Sequence, residues 1–241
     1  MKPTPFLDVA IFCCVLLGAC SSESGLDETV TESSSNPKDQ ALLKAIRKGN
    51  FPGMEEALRA GANPNTYYTY INQRDAETGR RRSALELAAL MGNVEAVRVL
   101  IQGGAKLSGW EAQGALWAAA RAGHADVLGV LFDGGADART EQAQTALAAA
   151  ASNGQAEAVR ALLAHGVPAD TREAQNALNQ AVIGHHTEVV QALLVAGTVV
   201  TDKQGYYARE EARQRGFSDL VEMLKNAGAP ELPPEEPAPH P

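Results

Sequence analysis

The sequence predicts an all-α fold built from stacked helix–turn–helix repeats. Glycine recurs every 31 residues, at Gly104, Gly135, Gly166, Gly197 and Gly228. Leucine keeps the same interval at Leu85, Leu116, Leu147 and Leu178. A fixed period of roughly 20 to 50 residues is typical of units that bury their apolar faces against neighbouring units. We therefore predict a solenoid of about six repeats over residues 39–230, including a capping repeat at each end.

Each repeat is predicted to contain two short helices. The first has the pattern S-A-L-E-L-A-A-L-M-G of residues 83–92 and recurs at 114–123 and 145–154. Its alanines let neighbouring helices approach closely, and the glycine at its end supplies a left-handed cap. The second helix has an acidic residue in its first turn, where the helix dipole favours negative charge. It recurs at 95–101, 126–132, 157–163 and 188–194.

These patterns resemble the ankyrin repeat. The family pattern x-T-P-L-H-x-A-A-x-x-G-H-x-E-V-V-x-L-L-x-x-G-A-D is matched at Thr145, Leu147, Gly154, Glu157, Val159, Leu162 and Leu163. The family proline is replaced by Ala84, Ala115, Ala146 and Ala177. The resemblance implies a non-enzymatic module that binds a protein partner through its finger tips and the concave face of its first helices.

The interior repeats are shorter than the usual ankyrin period of about 33 residues. The deficit falls between the closing glycine and the next leucine, where the family has its β-hairpin finger. We therefore expect shortened fingers with little strand and first helices that begin early. Ser108 with Glu111, and Asp170 with Glu173, are predicted to form capping boxes at these helix starts.

The chain begins with a pattern typical of a bacterial lipoprotein signal peptide, residues 1–19. The apolar run V-A-I-F-C-C-V-L-L is far too short to span a bilayer and ends in L-G-A-C, which resembles a lipobox. An ordinary signal peptide that happens to contain a cysteine is the alternative. The resemblance implies cleavage before Cys20, acylation of that cysteine, and, with Ser21 following it, an outer-membrane protein that faces the periplasm. Residues 20–38 are predicted to be a disordered tether and residues 231–241 a disordered Pro/Glu-rich tail.

Composition and charge argue against several functional classes. The net charge is −8, but residues 39–230 hold 21 acidic and 19 basic residues, so most of the acidity belongs to the tails. A near-neutral domain without a clustered basic face does not suit nucleic acid. His124, His165, His185 and His186 lack the spacing of a metal site, and we predict neither a metal nor a cofactor. The sequence also carries no recognisable catalytic motif, so we predict a monomeric binding protein rather than an enzyme.

An insertion interrupts the period once, in the segment N-T-Y-Y-T-Y-I-N-Q-R-D-A-E-T-G-R-R-R of residues 65–82. It separates the opening repeat from the next by twelve residues more than the regular 31. Tyrosine and arginine dominate interface hot spots, and inserted loops often carry function. The segment either binds a partner or forms a solvated hairpin whose tyrosines lie on the first repeat. Its candidate binding residues are Tyr67, Tyr68, Tyr70, Arg80, Arg81 and Arg82.

A second candidate surface follows from the family resemblance. On the concave face it includes Leu90, Met91 and Arg121. At the finger tips it includes Trp110, Glu111, Gln113, Glu141, Gln142, Gln144, Arg172, Glu173 and Gln175. Gln113, Gln144 and Gln175 recur once per repeat, which either serves binding or reflects local hydrogen bonding to the neighbouring turn.

Two functions are compatible with this protein-binding architecture. It resembles ankyrin-repeat immunity lipoproteins, which implies a membrane-tethered module that neutralises a secreted antibacterial effector such as a lipase. The alternative is a periplasmic scaffold or accessory factor for a resident enzyme, for example in oxidant defence.

Overall fold

A computed structural model describes residues 30–31, 36–70 and 80–231, with the backbone alone at residues 30, 31, 70 and 80. The predicted signal peptide, Cys20 and the tail beyond Glu231 lie outside these residues. The described part contains twelve α-helices and three short β-strands. The described residues form two compact units, a first unit up to Lys106 and a second unit from Leu107.

The first unit contains two helix pairs and a small sheet. The first pair is α1 (Pro37–Arg47) and α2 (Phe51–Arg59), and the second is α3 (Ala84–Leu90) and α4 (Val94–Gln102). The sheet consists of β1 (Val30–Thr31), β2 (Tyr67–Tyr70) and β3 (Arg80–Ser83), in that order and antiparallel. Because α1 packs on α3 and α2 packs on α4, the two pairs stack as successive repeats.

The second unit contains four helix pairs, from α5 to α12. Its first helices are α5 (Trp110–Ala122), α7 (Glu141–Ser152), α9 (Arg172–Ile183) and α11 (Lys203–Gln214). Its second helices are α6 (Ala125–Asp133), α8 (Ala156–Ala164), α10 (Thr187–Val195) and α12 (Ser218–Asn226). First helices pack on first helices and second on second along this unit, which is the predicted stacking.

The repeating residues form the core. Leu85, Leu116, Leu147 and Leu178 are at most 2% exposed. The alanines that precede them, such as Ala146 and Ala177, are fully buried and leave room for close contact between first helices. Burial of a leucine side chain contributes about 1.5–3 kcal/mol, so each repeat depends on its neighbours for stability.

The predicted shortening of the fingers is confirmed. Between the closing glycine of one repeat and the next first helix, the described residues of the second unit contain no strand. The first helices there have 12 or 13 residues, whereas α3 has 7. In the second unit, the fingers are therefore shorter and the first helices that follow them are longer than α3.

The predicted capping boxes are wrong by one residue. Helix α5 begins after Gly109, whose φ of 76° and lack of a side chain leave no cap from Ser108. Helix α9 is capped by Thr171, whose hydroxyl accepts a hydrogen bond from the backbone N–H of Ala174. Thr140 caps α7 in the same way. A hydroxyl at the N-cap satisfies one of the free backbone donors of the first turn, which fixes where each helix starts.

The predicted tether differs from the structure at two places. Helix α1 begins at Pro37, with Asn36 as its N-cap, rather than at residue 39. Within the segment predicted to lack structure, Val30 and Thr31 form β1, paired with Tyr70 and Thr69 of β2.

The closing repeat buries the polar residue that replaces the repeating leucine. Arg209 donates hydrogen bonds to the carbonyl oxygen of Ala229 at 3.1 Å and to the carboxylate of Glu231 at 2.9 Å. Its side chain is only 14% exposed. Arg209 on α11 therefore holds the chain segment that follows α12, the last helix of the second unit.

Candidate protein-binding surfaces

The inserted segment folds as an antiparallel hairpin that leads directly into α3. Tyr67 pairs with Ser83, Tyr68 with Arg82, Thr69 with Arg81 and Tyr70 with Arg80. Ser83 ends β3 and also caps α3, because its hydroxyl accepts from the backbone N–H of Glu86 at 3.0 Å. The base of the hairpin is thus continuous with the helix of the second repeat.

Asn65, two residues before β2, holds the other strand at the same base of the hairpin to the turn that follows α4. Its side-chain oxygen accepts from the backbone N–H of Lys106 at 2.7 Å, and its amide group donates to the carbonyl oxygen of Gly104 at 3.4 Å. Both strands of the hairpin are therefore held at its base by other residues of the first unit.

One face of the hairpin is buried, which corrects part of the predicted surface. Tyr68 is 3% exposed, and the guanidinium carbon of Arg47 lies 5.9 Å from the centre of its ring. Burial raises the pKa of Tyr68 to about 12, against the lowering effect of the Arg82 charge. Arg82 lies 3.6 Å from the carboxylate of Glu86, and the side chains of the pair are 18% and 5% exposed. Tyr68 and Arg82 therefore anchor the hairpin and are removed from the candidate binding set.

The opposite face carries a contact between an exposed and a half-buried side chain. The guanidinium carbon of Arg81 lies 3.6 Å from the centre of the Tyr67 ring, which is the geometry of a cation–π contact. Arg81 is exposed and Tyr67 is half-buried. The pair presents a flat aromatic surface and a cation whose orientation is already set. Such a pair suits an interface because little side-chain freedom remains to be lost on binding.

The predicted first-helix residues of the first unit lie at the end of α3. Leu90 is half-buried, and Met91 is 39% exposed. Met91 therefore remains a candidate contact for an apolar partner group.

The predicted tip residues of the second unit lie at the starts of its first helices. Trp110 is the first residue of α5 and is 44% exposed. Gln113, Glu141, Arg172 and Glu173 are also exposed, whereas Glu111 and Gln142 are half-buried. Trp110 is the one aromatic side chain among these tips, and it is accessible.

Two members of the predicted glutamine ladder link neighbouring repeats. Gln144 accepts a hydrogen bond from the hydroxyl of Thr171 at 3.1 Å. Gln175 donates to the carboxylate of Asp202 at 2.9 Å and to the carbonyl oxygen of Val199 at 3.1 Å. Thr171 and Asp202 are the N-caps of the next first helices. Gln144 and Gln175 are therefore structural, and of this ladder Gln113 alone stays in the candidate binding set.

Comparison with known proteins agrees with this architecture. A family model described as ankyrin repeats (3 copies) matches residues 42–142 and 116–204. The chain belongs to the ankyrin-repeat family. The ankyrin repeat domain of human ASB11 has 25% sequence identity and a TM-score of 0.63, over 78% of this chain and 84% of that chain. The ankyrin repeat domain of Bcl-3, a member of the IkappaB protein family, has 24% identity and a TM-score of 0.64, over 83% and 89%. A search of curated proteins found no match.

The predicted binding residues include only some of the accessible side chains on the first helices of the ankyrin repeats. Arg121 was predicted, whereas Tyr207 was not. The guanidinium carbon of Arg121 lies 5.1 Å from the centre of the Trp117 ring, one helical turn away. Tyr207, which is 48% exposed, was missed. It stands 31 and 62 residues after the exposed Asn176 and Thr145. Alignment of the repeats by their period could have identified it as an aromatic residue at an exposed position.

Three of the described histidines pack against neighbouring repeats. His186 packs against the backbone of Gly154, where a β-carbon would lie 2.6 Å from its ring. His165 stacks on Phe132 with ring centres 5.0 Å apart. His185 replaces the usual glycine with a φ of 55°, stacks on Phe217 at 4.0 Å and lies 3.1 Å from Asp219. Within the described part of the chain, no cluster of histidine, cysteine and acidic residues is arranged to hold a metal ion.

None of the helices in the described ranges has the length and apolar composition needed to span a bilayer.

Proposed function

We propose that this ankyrin-repeat protein is a lipid-anchored binding module of the bacterial envelope that holds a protein partner on its inserted hairpin. The observation that carries the proposal is the contact of the exposed Arg81 with the half-buried ring of Tyr67 on that hairpin. The regular repeats bury their periodic residues against each other, whereas Arg81 is exposed in the one segment that departs from the period. Arginine and tyrosine at the centre of an interface commonly contribute 1 kcal/mol or more each.

Exposed side chains of the second unit support a second area of contact. Trp110 and Tyr207 are large, rigid and accessible, and such residues provide contact area at a low cost in conformational entropy. The Trp117–Arg121 pair adds a cation on the same kind of helix face. A protein partner provides the apolar and acidic groups that these side chains would bind.

The location rests on the sequence alone. The L-G-A-C motif that ends at Cys20 supports acylation, and Ser21 supports sorting to the outer membrane, with the repeats in the periplasm. Growth with labelled palmitate is expected to label the wild-type protein, whereas the C20S variant is expected to remain unlabelled and to keep residues 1–19, because cleavage before Cys20 depends on that cysteine. Absence of label from the wild-type protein, or equal labelling of C20S, would refute the lipid anchor at Cys20.

Within this class we propose an immunity protein that neutralises a secreted antibacterial effector, such as a lipase. A blocker anchored at the membrane is already located where a lipase must act. Deletion of the gene is expected to make cells sensitive to siblings that deliver the effector, and the wild-type protein is expected to restore survival. The Y67A/R81A variant is expected to restore it poorly, and R98A, an exposed arginine of α4, fully.

Unchanged survival of the deletion strain beside such siblings would exclude the immunity role. Recovery of a resident periplasmic enzyme with the protein from unchallenged cells would then favour the scaffold function.

A further inference from the structure

We propose that the outer face of the first repeat docks on the anionic phospholipid headgroups of the membrane that holds the lipid anchor. The docking surface is a shallow depression of about 490 Å³ between α1 and α2, and its lining includes Lys38, Lys44 and Lys48. This inference rests on the proposed acylation of Cys20 and specifies which part of the module the membrane contacts.

The lysines of the repeats are concentrated around this depression. Residues 36–231 contain six lysines, and the three that line the depression come from one short stretch of sequence. All three are exposed, and none of them has a carboxylate partner among the described residues. The helix dipole favours cations at the C-terminal end of α1, which accounts for Lys44 and Lys48 but not for Lys38 in the first turn.

The depression stays positively charged when its acidic residue is counted. Glu56 is the one acid among the described residues that line it, so three lysines less one glutamate leave a net charge of +2. The lining also contains alanines at positions 41, 45, 57 and 60. Because alanine side chains are short, the longer lysine side chains can place their ammonium groups against phosphates in front of this surface.

The composition of the lining favours a membrane surface over a protein partner. The described lining residues include neither an arginine nor an aromatic residue, which are the types that dominate protein interfaces. Lysine ammonium groups act as point charges, and each one near an anionic bilayer strengthens binding by roughly fivefold. Contacts of this strength suffice for a surface that a lipid anchor keeps at high effective concentration.

The path of the chain brings the first repeat within reach of the anchor. Ten residues separate Cys20 from Val30 of β1, and they span at most about 36 Å. Thr31 lies five residues before Asn36, the N-cap of α1. In the sheet, β1 lies on the opposite side of β2 from β3, the strand that leads into the second repeat. Docking of the first repeat would therefore keep the hairpin beside the bilayer, where the proposed lipase acts.

The test uses the acylated full chain in vesicles, with one added cysteine that carries a fluorophore. In A60C the fluorophore is attached in the lining of the depression, and in Q102C it is attached at the end of α4, one repeat further along. Nitroxide groups on the lipid headgroups quench fluorophores that touch the bilayer surface. In vesicles with about one third phosphatidylglycerol, we expect A60C to be quenched at least about threefold more than Q102C. In phosphatidylcholine vesicles, or in about 0.5 M salt, we expect the difference to fall below about 1.5-fold.

Two sets of substitutions separate the charges of the depression from those of other lysines. K38Q/K44Q/K48Q is expected to remove the difference in quenching, whereas K106Q/K203Q/K225Q, which changes the other three lysines, is expected to keep it. Equal quenching of A60C and Q102C in anionic vesicles, or a difference that survives K38Q/K44Q/K48Q, would overturn the proposal. If that variant also lost partner capture while its quenching stayed unchanged, the depression would belong to the protein partner instead.

Failure of this test is distinguishable from failure of the proposed function. If the wild-type protein takes up palmitate but A60C and Q102C are quenched alike, the anchor stands and docking of the first repeat is wrong. If no palmitate enters the wild type, the anchor is wrong and this inference with it. Capture of a protein through Tyr67 and Arg81 is measured separately and depends on neither result.

Discussion

Some contacts between neighbouring repeats are made by single polar side chains. Their periodic spacing alone does not decide whether such residues pack the repeats together or bind a partner. Gln144 and Gln175 each contact the N-cap of the next first helix, 27 residues further along the chain. The geometry decides in favour of packing, because a hydrogen bond between repeats holds the start of the next helix in place.

Replacement of Gln144 by Ala tests this assignment. We expect the free energy of unfolding to fall by about 1 kcal/mol, since one hydrogen bond to Thr171 is lost. Partner capture is expected to be unchanged. Urea unfolding and affinity capture measure the two effects, with Q113A, at an exposed member of the ladder, as the control for stability. Reduced capture by Q144A with unchanged stability would return Gln144 to the binding surface.

His185 combines backbone strain with a favourable stack. Its φ of 55° is one that other repeats give to glycine, and its ring lies parallel to that of Phe217. H185A keeps the strain and loses the stack, so we expect a loss of about 1–2 kcal/mol. H185G loses the stack but relieves the strain, and we expect it to be about 1 kcal/mol more stable than H185A. Urea unfolding of the two variants measures the difference, and equal stability would show that the left-handed backbone costs nothing here.

Asp219 makes the docking of the last repeat dependent on pH. Hydrogen bonds from His185, and then from Thr187, lower the pKa of Asp219 below its usual 3.8. A lowered pKa means that the carboxylate stabilises the folded state above pH 3.8 and that this contribution is lost as the pH falls further. We expect the protection factors of the α12 amides, which are exchange rates corrected for the intrinsic pH dependence, to fall below pH 3.8 in the wild type and to fall less in D219N. An identical pH profile for D219N would contradict this role.

At the scale of elements, an ionic pair links the inserted hairpin to the first helix of its repeat. Arg82 on β3 and Glu86 on α3 lie 3.6 Å apart, with side chains 18% and 5% exposed. Removal of one member of a buried pair leaves an uncompensated charge, which commonly costs more than the pair contributes.

The double-mutant cycle of Arg82 and Glu86 measures this coupling. We expect E86A to lower the free energy of unfolding by roughly 3 kcal/mol, and R82A/E86A to cost at least about 1 kcal/mol less than the sum of the single changes. The matched control is Arg59–Glu55, with the same i,i+4 spacing but side chains 74% and 58% exposed. E55A is expected to cost at most about 0.5 kcal/mol. Additive effects at Arg82 and Glu86 would show that the hairpin is held by other contacts.

The repeating helices were predictable because the same sequence pattern recurs in each repeat. The equal spacing of Leu116, Leu147 and Leu178 therefore identifies all three as equivalent positions. The exact helix starts were less so. Thr140, Thr171 and Asp202 cap the helices, but several polar residues compete for that position in each shortened finger.

The hairpin occurs once, so no second copy indicates which of its side chains are buried. Tyr68 and Tyr67 are neighbours of the same type, and their different environments follow from strand alternation, which turns Tyr68 into the core and leaves Tyr67 half-buried. Likewise, nothing in the spacing of Val30 and Thr31 predicted that they pair with β2.

At the scale of the whole molecule, regular repeats are combined with one exposed departure from their period. In both units the apolar residues of the period are buried, whereas Arg81 on the hairpin and a few large side chains such as Trp110 are exposed. The central claim is that the hairpin pair Tyr67 and Arg81 binds the protein partner.

The most direct test is the affinity of the full chain for the protein that it captures from the envelope of challenged cells. We predict that Y67A/R81A binds at least about tenfold more weakly than the wild type, while R98A binds equally well and all three unfold alike. Equal affinity of Y67A/R81A and the wild type would contradict the claim that the hairpin is the binding site.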